Sequence, residues 1–508
     1  MVIRGISGAF RRVSRLAVGI GLATGLLSLP ACAQRLPAAD APLPATVAQA
    51  LQQAGIPDSA LSALVVPVDP REPERLRAHA AAEVNPASVM KLVTTYAAID
   101  LLGPDFTWHT RFYTDGSVRG GALHGNLYVR GDGDPKLVLE RLQEAFIALQ
   151  ARGVQVILGD MVLDHSAFEL PAHDPGAFDG EALRPYNAAP DALLFNFKSI
   201  ILRFTPERAS GQAIVSSEPP MEGLAIDARV PLARGACGDW RTALRARFDR
   251  PDTIRFEGRY PSACGELVWP VAYQDPGSYA ARAFEGMWRA SGGAITGHVR
   301  NGQTPPGVQL LYEAHSLPLS EIITDVNQWS NNVMAQQVFL TLGRLPPLAM
   351  DEATAIGGRS LRPVRTGRFE RSRETLRHWW VRTFGLKVAP PVLDNGSGLS
   401  RSERITPEAL ANLLRHAAAH PRGDAFVQSL SVAGVKGTAA RIGQRADSLA
   451  RGNAWLKTGT LRDVSGVAGY VNALDGRRYV VIGFVNHDNA SAARPALDAL
   501  VEWAAALK

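Results

Sequence analysis

The stretch Asn85-Pro86-Ala87-Ser88-Val89-Met90-Lys91-Leu92-Val93-Thr94-Thr95 (NPASVMKLVTT) places a lysine three residues after a serine. Only 7 of the 54 basic residues are lysine, so arginine would be expected here if the position needed only positive charge. Lysine differs because it loses its proton at tolerable cost when it is desolvated. With Ser88 at the start of a helix, Lys91 lies one turn later on the same face. A neutral Lys91 amine could therefore take the Ser88 proton, and the helix N-terminus could stabilise an oxyanion.

Two further short motifs carry chemistry. Lys457-Thr458-Gly459, the only Lys-Thr-Gly in the chain, lies on a strand predicted over 454–461. A lysine and a threonine hydroxyl on a strand can hold a carboxylate, and glycine lets a ligand approach the backbone. Ser330-Asn331-Asn332, the only Ser-x-Asn, lies in a helix predicted over 320–342 with Ser320 as its N-cap. It offers a hydroxyl for proton relay and an amide for a substrate peptide bond.

In this order, the three motifs resemble the active-site signature of penicillin-binding proteins and serine β-lactamases. Ser88 and Ser330 are separated by 242 residues, and this long interval resembles the class C low-molecular-mass penicillin-binding proteins, the D-alanyl-D-alanine carboxypeptidase/endopeptidase family. Further stretches similar to that family are 131–135 (GDGDP), 186–190 (YNAAP) and 394–401 (DNGSGLSR). One departure is Val435-Lys436-Gly437-Thr438, where an acidic residue is common before Gly-Thr.

The resemblance implies an α/β (α+β) fold of the penicillin-binding/serine β-lactamase transpeptidase type, with an antiparallel sheet flanked by helices. It implies that residues 45–105 and 275–508 form the catalytic domain. Residues 106–274 form a large and mostly β insertion, within which residues 165–270 are rich in proline, glycine and short β-like pieces. In the family this insertion comprises two domains, one nested in the other.

The resemblance also implies the chemistry. Ser88 is the expected nucleophile, Lys91 the general base and Ser330 the residue that passes a proton to the leaving amine. Substrate binding is expected from Asn332, Lys457, Thr458, Gly459 and Thr460, with the backbone N–H groups of Ser88 and Thr460 as the oxyanion hole. No metal or organic cofactor is required, and the expected partners are peptidoglycan stem peptides and β-lactam antibiotics.

The N-terminus predicts a secretory signal peptide over residues 1–33. Four arginines and no acid precede the apolar stretch 16–29, and Pro30-Ala31-Cys32-Ala33 supplies a small-x-small cleavage pattern. The apolar stretch is too short to span a membrane. We expect an exported, periplasmic protein that is cleaved near Ala33, begins with a tether over 34–44 and is at most peripherally associated with a membrane. Lipidation of Cys32 is the less favoured alternative.

The mature chain would be nearly neutral. Removing four of the 54 basic residues leaves 50 against 48 acidic residues, so nothing suggests a nucleic-acid partner. Only Cys237 and Cys264 remain after cleavage. We favour a disulfide between them, because export permits pairing, with two free thiols as the alternative.

Three other features are set aside. His416 and His420 are four residues apart on a predicted helix, but we interpret them as surface residues because no zinc-protease glutamate follows His416. We interpret Asp132 and Asp134 as part of a turn, since the other ligands of a calcium loop are missing. Ser397 lies between glycines outside any Gly-x-Ser-x-Gly frame, and is expected in a loop beside the active site.

The main hypothesis is therefore an exported D,D-peptidase that acts on peptidoglycan. A β-lactamase is a second hypothesis, against which the large insertion argues. A non-catalytic cell-wall-binding protein is a third, against which the intact set of Ser88, Lys91 and Lys457 argues. The sequence leaves open the balance of carboxypeptidase and endopeptidase action, the diamino acid of the substrate and the oligomeric state.

Overall fold

The computed structural model describes residues 40–347 and 362–508. The predicted signal peptide, Cys32 and residues 34–39 of the predicted tether lie outside the described residues. The sequence predicts a short helix over 46–53, stopped by Gly55, and an apolar, β-branched strand over 61–68. Both are present, with bounds that differ by one residue. None of the helices within the described ranges has both the length and the apolar character needed to cross a membrane.

The regular elements are as follows. The α-helices are α1 (Ala45–Gln53), α2 (Lys91–Leu102), α3 (Leu139–Ala151), α4 (Trp240–Leu244), α5 (Pro276–Ala290), α6 (Leu319–Trp329), α7 (Asn332–Leu342), α8 (Phe369–Phe384), α9 (Pro407–Ala419), α10 (Gly423–Gln428) and α11 (Arg494–Ala505). The strands are β1 (Leu61–Pro67), β2 (Leu76–Ala78), β3 (His109–Thr114), β4 (Ser117–Arg119), β5 (Ala122–His124), β6 (Leu127–Gly131), β7 (Val156–Ile157), β8 (Met161–Asp164), β9 (Ser199–Glu207), β10 (Gln212–Glu218), β11 (Ala225–Ile226), β12 (Arg229–Ala233), β13 (Ala246–Arg250), β14 (Thr253–Phe256), β15 (Tyr260–Pro261), β16 (Leu267–Ala272), β17 (Ala294–Ile295), β18 (Val299–Asn301), β19 (Gln309–His315), β20 (Ser431–Val432), β21 (Ala454–Leu461), β22 (Val464–Asn472) and β23 (Arg478–Asn486).

The central sheet has the order β2-β1-β23-β22-β21-β20, and its neighbours are all antiparallel. The predicted antiparallel sheet flanked by helices is thus confirmed. The N-terminal strand β1 pairs with the last strand β23, which joins the two ends of the described chain in one sheet. Gly476 has a left-handed φ of 79° in the predicted tight turn between β22 and β23.

Both faces of this sheet are buried. Alternate residues of β22 and β23, such as Tyr470 and Ile482, lie in the core formed with α2, α6, α7, α8 and α9. The residues between them, such as Val471 and Val481, lie in a second core with α1 and α11. Because successive side chains of a strand point to opposite faces, two covered faces require the nearly continuous apolar runs seen in the sequence.

The single helix predicted over 320–342 is wrong. The structure has two helices, α6 and α7, and the N-cap of α6 is Pro318 rather than Ser320. Ser330 lies between them with a left-handed φ of 59°, and the Asn331 side chain caps α7 by accepting the backbone N–H of Met334. The break turns the Ser330 side chain out of the helical repeat, at the place where the Ser-x-Asn motif stands.

The inserted region begins and ends in adjacent strands. One sheet has the order β18-β8-β6-β3-β19, and a second has the order β17-β7-β5-β4. The segment 199–272 contributes the sheets β15-β12-β10-β9-β16 and β11-β14-β13, and it shares one hydrophobic core with the flanking segments. The predicted disulfide between Cys237 and Cys264 is present. A division into two nested domains remains a prediction.

Two sequence predictions for this region are wrong. The catalytic part does not resume at residue 275, because α5 packs into the inserted core and β17 to β19 pair with strands that precede residue 165. The chain returns to the catalytic part after β19, near residue 316. The sequence of 154–163 also predicts a single strand, but the structure has two short strands there, β7 and β8, which belong to different sheets.

Candidate active site

Ser88 lies in the 3₁₀ helix Ala87–Met90, which leads directly into α2. The residue before it, Ala87, has a left-handed φ of 47°, a conformation that costs free energy for any residue with a Cβ. Asn85 stabilises this bend, because its side-chain oxygen accepts the N–H of Ala87 and its amide donates to the carbonyl oxygen of Ser400. The strained turn presents the Ser88 hydroxyl to the cleft, and such strain is typical of functional positions.

Lys91 is fully buried and contacts three oxygens. Its Nζ lies 2.9 Å from Oγ of Ser88 and 2.6 Å from Oδ1 of Asn332, and it also contacts the carbonyl oxygen of Ser397. Burial and the positive charge of Lys457 lower the pKa of Lys91 well below its usual value. A neutral amine has two N–H donors and one lone pair. The two carbonyl oxygens can take the donors, which leaves the lone pair for the Ser88 hydroxyl proton.

The Ser397 carbonyl is held in place by Glu403, which the sequence reasoning missed. The fully buried Glu403 carboxylate accepts the backbone N–H groups of Asp394, Asn395, Gly396 and Gly398. Gly398 has a φ of 77°, and a Cβ there would collide with the carbonyl oxygen of Ala87. The predicted loop position of Ser397 agrees with the structure, but its contribution is a backbone oxygen on Lys91.

The second buried lysine, Lys457, lies on β21 across the cleft from α2. Its Nζ is 2.9 Å from Oγ of Ser330 and 2.7 Å from the carbonyl oxygen of Thr458. Burial lowers the pKa of Lys457 to about 7. The Ser330 hydroxyl therefore depends on the left-handed break between α6 and α7 to reach this amine.

The remaining β21 residues form one wall of the cleft. Oγ1 of Thr458 lies 2.8 Å from Oγ1 of Thr438 in the Lys-Gly-Thr stretch, whose role the sequence left unassigned. A Cβ on Gly459 would lie 2.7 Å from the carbonyl oxygen of Pro86 and 3.0 Å from the Ser88 nitrogen. Glycine is therefore required at this position, because the strand approaches the backbone of Ser88 with no room for a side chain.

These groups open into a cleft of about 780 Å³ that contains residues from both parts of the chain. Phe178 and Tyr186 come from the inserted region, and the carbonyl oxygen of Tyr186 accepts the amide of Asn332 at 3.3 Å. Trp329 stands at the rim with 66% of its surface exposed, and Arg401 lies over the Phe178 ring at 4.7 Å. The cleft lining also includes Asp179, Leu399, Thr460, Leu461 and Arg462.

The structure brings six of the predicted site residues to this cleft or its floor, and Thr458 and Gly459 lie beside them on β21. Ser88, Ser330, Asn332 and Thr460 line it, and Lys91 and Lys457 lie beneath it, in contact with Ser88 and Ser330. Thr438, Glu403 and Tyr186 are additional residues found only from the fold. Of these, Tyr186 and Thr438 stood in stretches that the sequence had marked without giving either residue a role, and Glu403 did not.

The surface interpretation of His416 on α9 and of His420, which directly follows this helix, is wrong, since both are half-buried. Nδ1 of His416 lies 2.6 Å from Oη of Tyr96, and Nε2 of His420 lies 3.4 Å from Asp100. Asp132 contacts Arg344, and Asp134 is nearly fully buried with its pKa raised by that burial to about 6.

Comparisons with known proteins agree with this geometry. The family model described as D-Ala-D-Ala carboxypeptidase 3 (S13) matches residues 43–507. The chain is 28% identical over 459 residues to "D-alanyl-D-alanine carboxypeptidase" of Actinomadura sp. (strain R39), covering 86% of this chain and 79% of the relative. It is 23% identical over 407 residues to "D-alanyl-D-alanine carboxypeptidase DacB" of Haemophilus influenzae, covering 79% of this chain and 80% of the relative.

Solved structures share the fold. The crystal structure of penicillin binding protein 4 (dacB) from Haemophilus influenzae superposes with a TM-score of 0.70 at 21% identity, covering 91% of this chain and 99% of that one. A second structure of the same protein, complexed with a β-lactam, has a TM-score of 0.64 at 22% identity and covers 87% and 93%. The penicillin-binding fold predicted from the three motifs is thus confirmed.

Proposed function

Because the chain belongs to the D-Ala-D-Ala carboxypeptidase 3 (S13) family, we propose that it hydrolyses peptidoglycan stem peptides through an acyl-enzyme on Ser88. The family makes the chain a serine peptidase. The observation that carries the assignment of the nucleophile is the 2.9 Å contact between Oγ of Ser88 and Nζ of the buried Lys91. A serine hydroxyl needs an adjacent base to attack at neutral pH, and a desolvated amine can be that base.

The acylation step follows from these contacts. Ser88 Oγ forms a bond to the carbonyl carbon of the D-Ala-D-Ala peptide while its proton passes to Nζ of Lys91. The backbone N–H groups of Ser88 and Thr460 stabilise the oxyanion, since fixed donors act strongly in a cleft shielded from water. The C–N bond then breaks, and the proton returns to the leaving nitrogen through the Ser330 hydroxyl, so that no proton is gained or lost.

Substrate orientation uses β21 and α7. The cationic form of Lys457 and the Thr458 hydroxyl bind the terminal carboxylate, which is a charge-assisted contact. The Asn332 amide contacts the substrate backbone. Gly459 allows the substrate to run along the strand edge, where a larger residue would collide with the chain before Ser88. These contacts position the scissile carbonyl over Oγ.

Deacylation releases the product. Water attacks the ester carbon, Lys91 accepts the water proton, and the C–O bond to Ser88 breaks as the serine recovers its proton. With D-alanine as the leaving group the enzyme is a carboxypeptidase, and with a cross-linked diamino acid it is an endopeptidase. A β-lactam would acylate Ser88 in the same way, but its leaving nitrogen stays tethered to the acyl group and hinders the water.

The expected place of action is the periplasm. Peptidoglycan lies outside the cytoplasmic membrane, so a chain with this chemistry must be exported. The proposed signal peptide over residues 1–33 supplies that route, with cleavage near Ala33. The Cys237–Cys264 disulfide is of the kind that forms in an oxidising compartment.

Covalent labelling with a fluorescent penicillin tests the nucleophile. We expect the wild-type chain and the control Ser117→Ala, an exposed serine on β4, to label equally, and Ser88→Ala not to label. Digestion of cross-linked and uncross-linked muropeptides, with products identified by mass, tests the substrate. Labelling of Ser88→Ala would remove the assignment. Rapid turnover of a chromogenic cephalosporin without D-alanine release would favour a β-lactamase instead.

A further inference from the structure

The chain enters and leaves the inserted region side by side. The Ser316 backbone N–H donates to the carbonyl oxygen of Trp108 at 2.9 Å, and the Ser316 hydroxyl accepts the Trp108 N–H at 2.9 Å. The next residues along the two strands, His109 on β3 and His315 on β19, are cross-strand partners in register. We call this place the junction. Any group that linked the two histidines would tie together both crossings of the chain.

Three side chains at the junction have metal-ligand geometry. One ligand atom from each of His109, Glu313 and His315 lies within 4.8 Å of the other two. Nε2 of His315 is 3.5 Å from Oε1 of Glu313, and the imidazole rings are 4.7 Å apart between centroids. Ligand atoms around a tetrahedral zinc ion stand about 3.3 Å apart, given zinc–ligand distances of about 2.0–2.1 Å. Small side-chain rotations therefore complete the site.

The neighbouring residues leave the required atoms available. Arg111 donates to Oε2 of Glu313, which leaves Oε1 directed at His315. Nδ1 of His109 faces Oδ2 of Asp132 at 3.8 Å, and Asp132 is in turn bound by Arg344. A carboxylate on the second nitrogen of a histidine is the usual support of a metal ligand, because it fixes the ring orientation and raises its basicity.

Two of the three arginines around the junction are paired with carboxylates. Arg111 is paired with Glu313, Arg344 is paired with Asp132, and Arg141 donates to the backbone oxygen of His315. The His315 side chain is 58% exposed, which gives an ion a path from solvent and leaves a coordination position for water. Two imidazoles and one carboxylate suit Zn²⁺ and other divalent transition-metal ions rather than Ca²⁺ or Mg²⁺, which prefer oxygen ligands alone.

We propose that His109, Glu313 and His315 bind a divalent transition metal of the zinc class, which cross-links the two strands at the junction. The site is separate from the cleft that contains Ser88, and the ion takes no part in acylation. Its effect is to stabilise the folded chain, since an ion that binds only the native state raises the unfolding temperature.

Metal titration of the full chain tests the site. After chelator treatment, we expect the wild-type chain to bind one Zn²⁺, and Co²⁺ in its place to give the visible d–d absorption of a tetrahedral centre. His315→Gln is expected to weaken Zn²⁺ affinity at least about 100-fold, because it removes a direct ligand. The matched control is His124→Gln on β5, an exposed histidine outside the junction. Equal Zn²⁺ affinity in His315→Gln and the wild type, or no stoichiometric binding, would overturn the proposal.

Thermal unfolding tests the cross-link. Saturating Zn²⁺ should raise the Tm of the wild-type chain and of His124→Gln, a chelator should reverse the rise, and Glu313→Gln should show a much smaller one. Penicillin labelling should be the same in all of these variants, so failure at the junction would not be confused with failure at Ser88. Zn²⁺ binding without any change in Tm would contradict the cross-link.

Discussion

Two buried lysines in this molecule have opposite surroundings. Lys198, in the inserted region, lies 2.8 Å from a carboxylate oxygen of Asp191, which also contacts His165. Lys91, beneath the cleft, contacts only uncharged groups among the described residues: a hydroxyl, an amide oxygen and a backbone carbonyl. Burial disfavours the charged form of a lysine, and only the first of these two receives a counter-charge.

The difference distinguishes Lys198, which stabilises the fold through an ion pair, from Lys91, which we propose acts in catalysis. Burial alone would raise the pKa of Asp191, but Lys198 and His165 hold it below its usual value, so the pair stays ionic. Lys91 has no carboxylate in contact with it among the described residues. The charge of Glu403, which binds the backbone of the loop before Gly398, raises the pKa of Lys91 and offsets only part of the effect of burial. Within the part of the chain that the structure describes, Lys457 is also buried without an ion pair, so what distinguishes Lys91 is this burial together with the contact of its Nζ with Oγ of Ser88.

The largest expected effect comes from giving Lys91 a permanent charge. Lys91→Arg should reduce penicillin acylation about 10³-fold or more, because arginine cannot lose its proton and general-base catalysis is lost. Lys457→Arg is the matched variant, since it keeps a cation for the carboxylate, and its loss should be smaller. Stopped-flow labelling measures both rates. Equal losses in the two variants would contradict different roles for the two amines.

Removing Lys198, the buried lysine that is paired with Asp191, should lower the stability of the fold and leave acylation unchanged. Lys198→Met leaves the Asp191 carboxylate buried without its amine, and we expect a loss of about 3 kcal/mol in the free energy of unfolding. Lys136→Met is the control, because the Lys136–Asp325 pair is about one-third exposed and should cost about 1 kcal/mol or less. Urea unfolding gives both values. Penicillin labelling of the folded fraction of Lys198→Met should stay close to wild type, and its loss would show that Lys198 also serves the cleft.

The smallest expected effect concerns pH. Because burial lowers the pKa of Lys457 to about 7, its cation is present below that pH and is lost as the pH rises through it. The value of kcat/KM for an N-acylated D-Ala-D-Ala peptide should therefore fall as the pH rises from about 7 to 9. Lys457→Arg should flatten this decline, because arginine stays charged. A decline of the same shape in Lys457→Arg would assign it to another group.

Much of the fold follows from local pattern. The strands β21, β22 and β23 are predictable because apolar runs with β-branched residues are bounded by a tight turn at Asp475-Gly476. The break at Ser330 is not predictable in this way, since neither glycine nor proline marks it and the apolar repeat continues on both sides. Tertiary contacts of Ser330 with Lys457 offset the cost of its left-handed backbone.

The candidate active site is likewise predictable only where local sequence marks its residues. Ser88, Lys91 and Lys457 are recognisable because lysine is rare in this chain and the motifs that contain these residues have fixed spacings. Glu403 and Thr438 act through backbone and hydroxyl contacts with residues far along the chain, and a buried glutamate looks like any other glutamate in sequence. The position at which the insertion ends is predicted wrongly for the same reason, because it depends on the pairing of β3 with β19 across about two hundred residues.

The hydrogen bonds between Trp108 and Ser316 have a consequence for the ancestry of the molecule. A gene without the intervening segment would need only a short turn to restore continuity of the chain, although Asn332 and Arg344 would lose their contacts with Tyr186 and Asp132. A shortened descendant would retain both lysines and both hydroxyls of its reactive centre. It would lack Phe178 and Tyr186, which the inserted region contributes to the lining of the cleft.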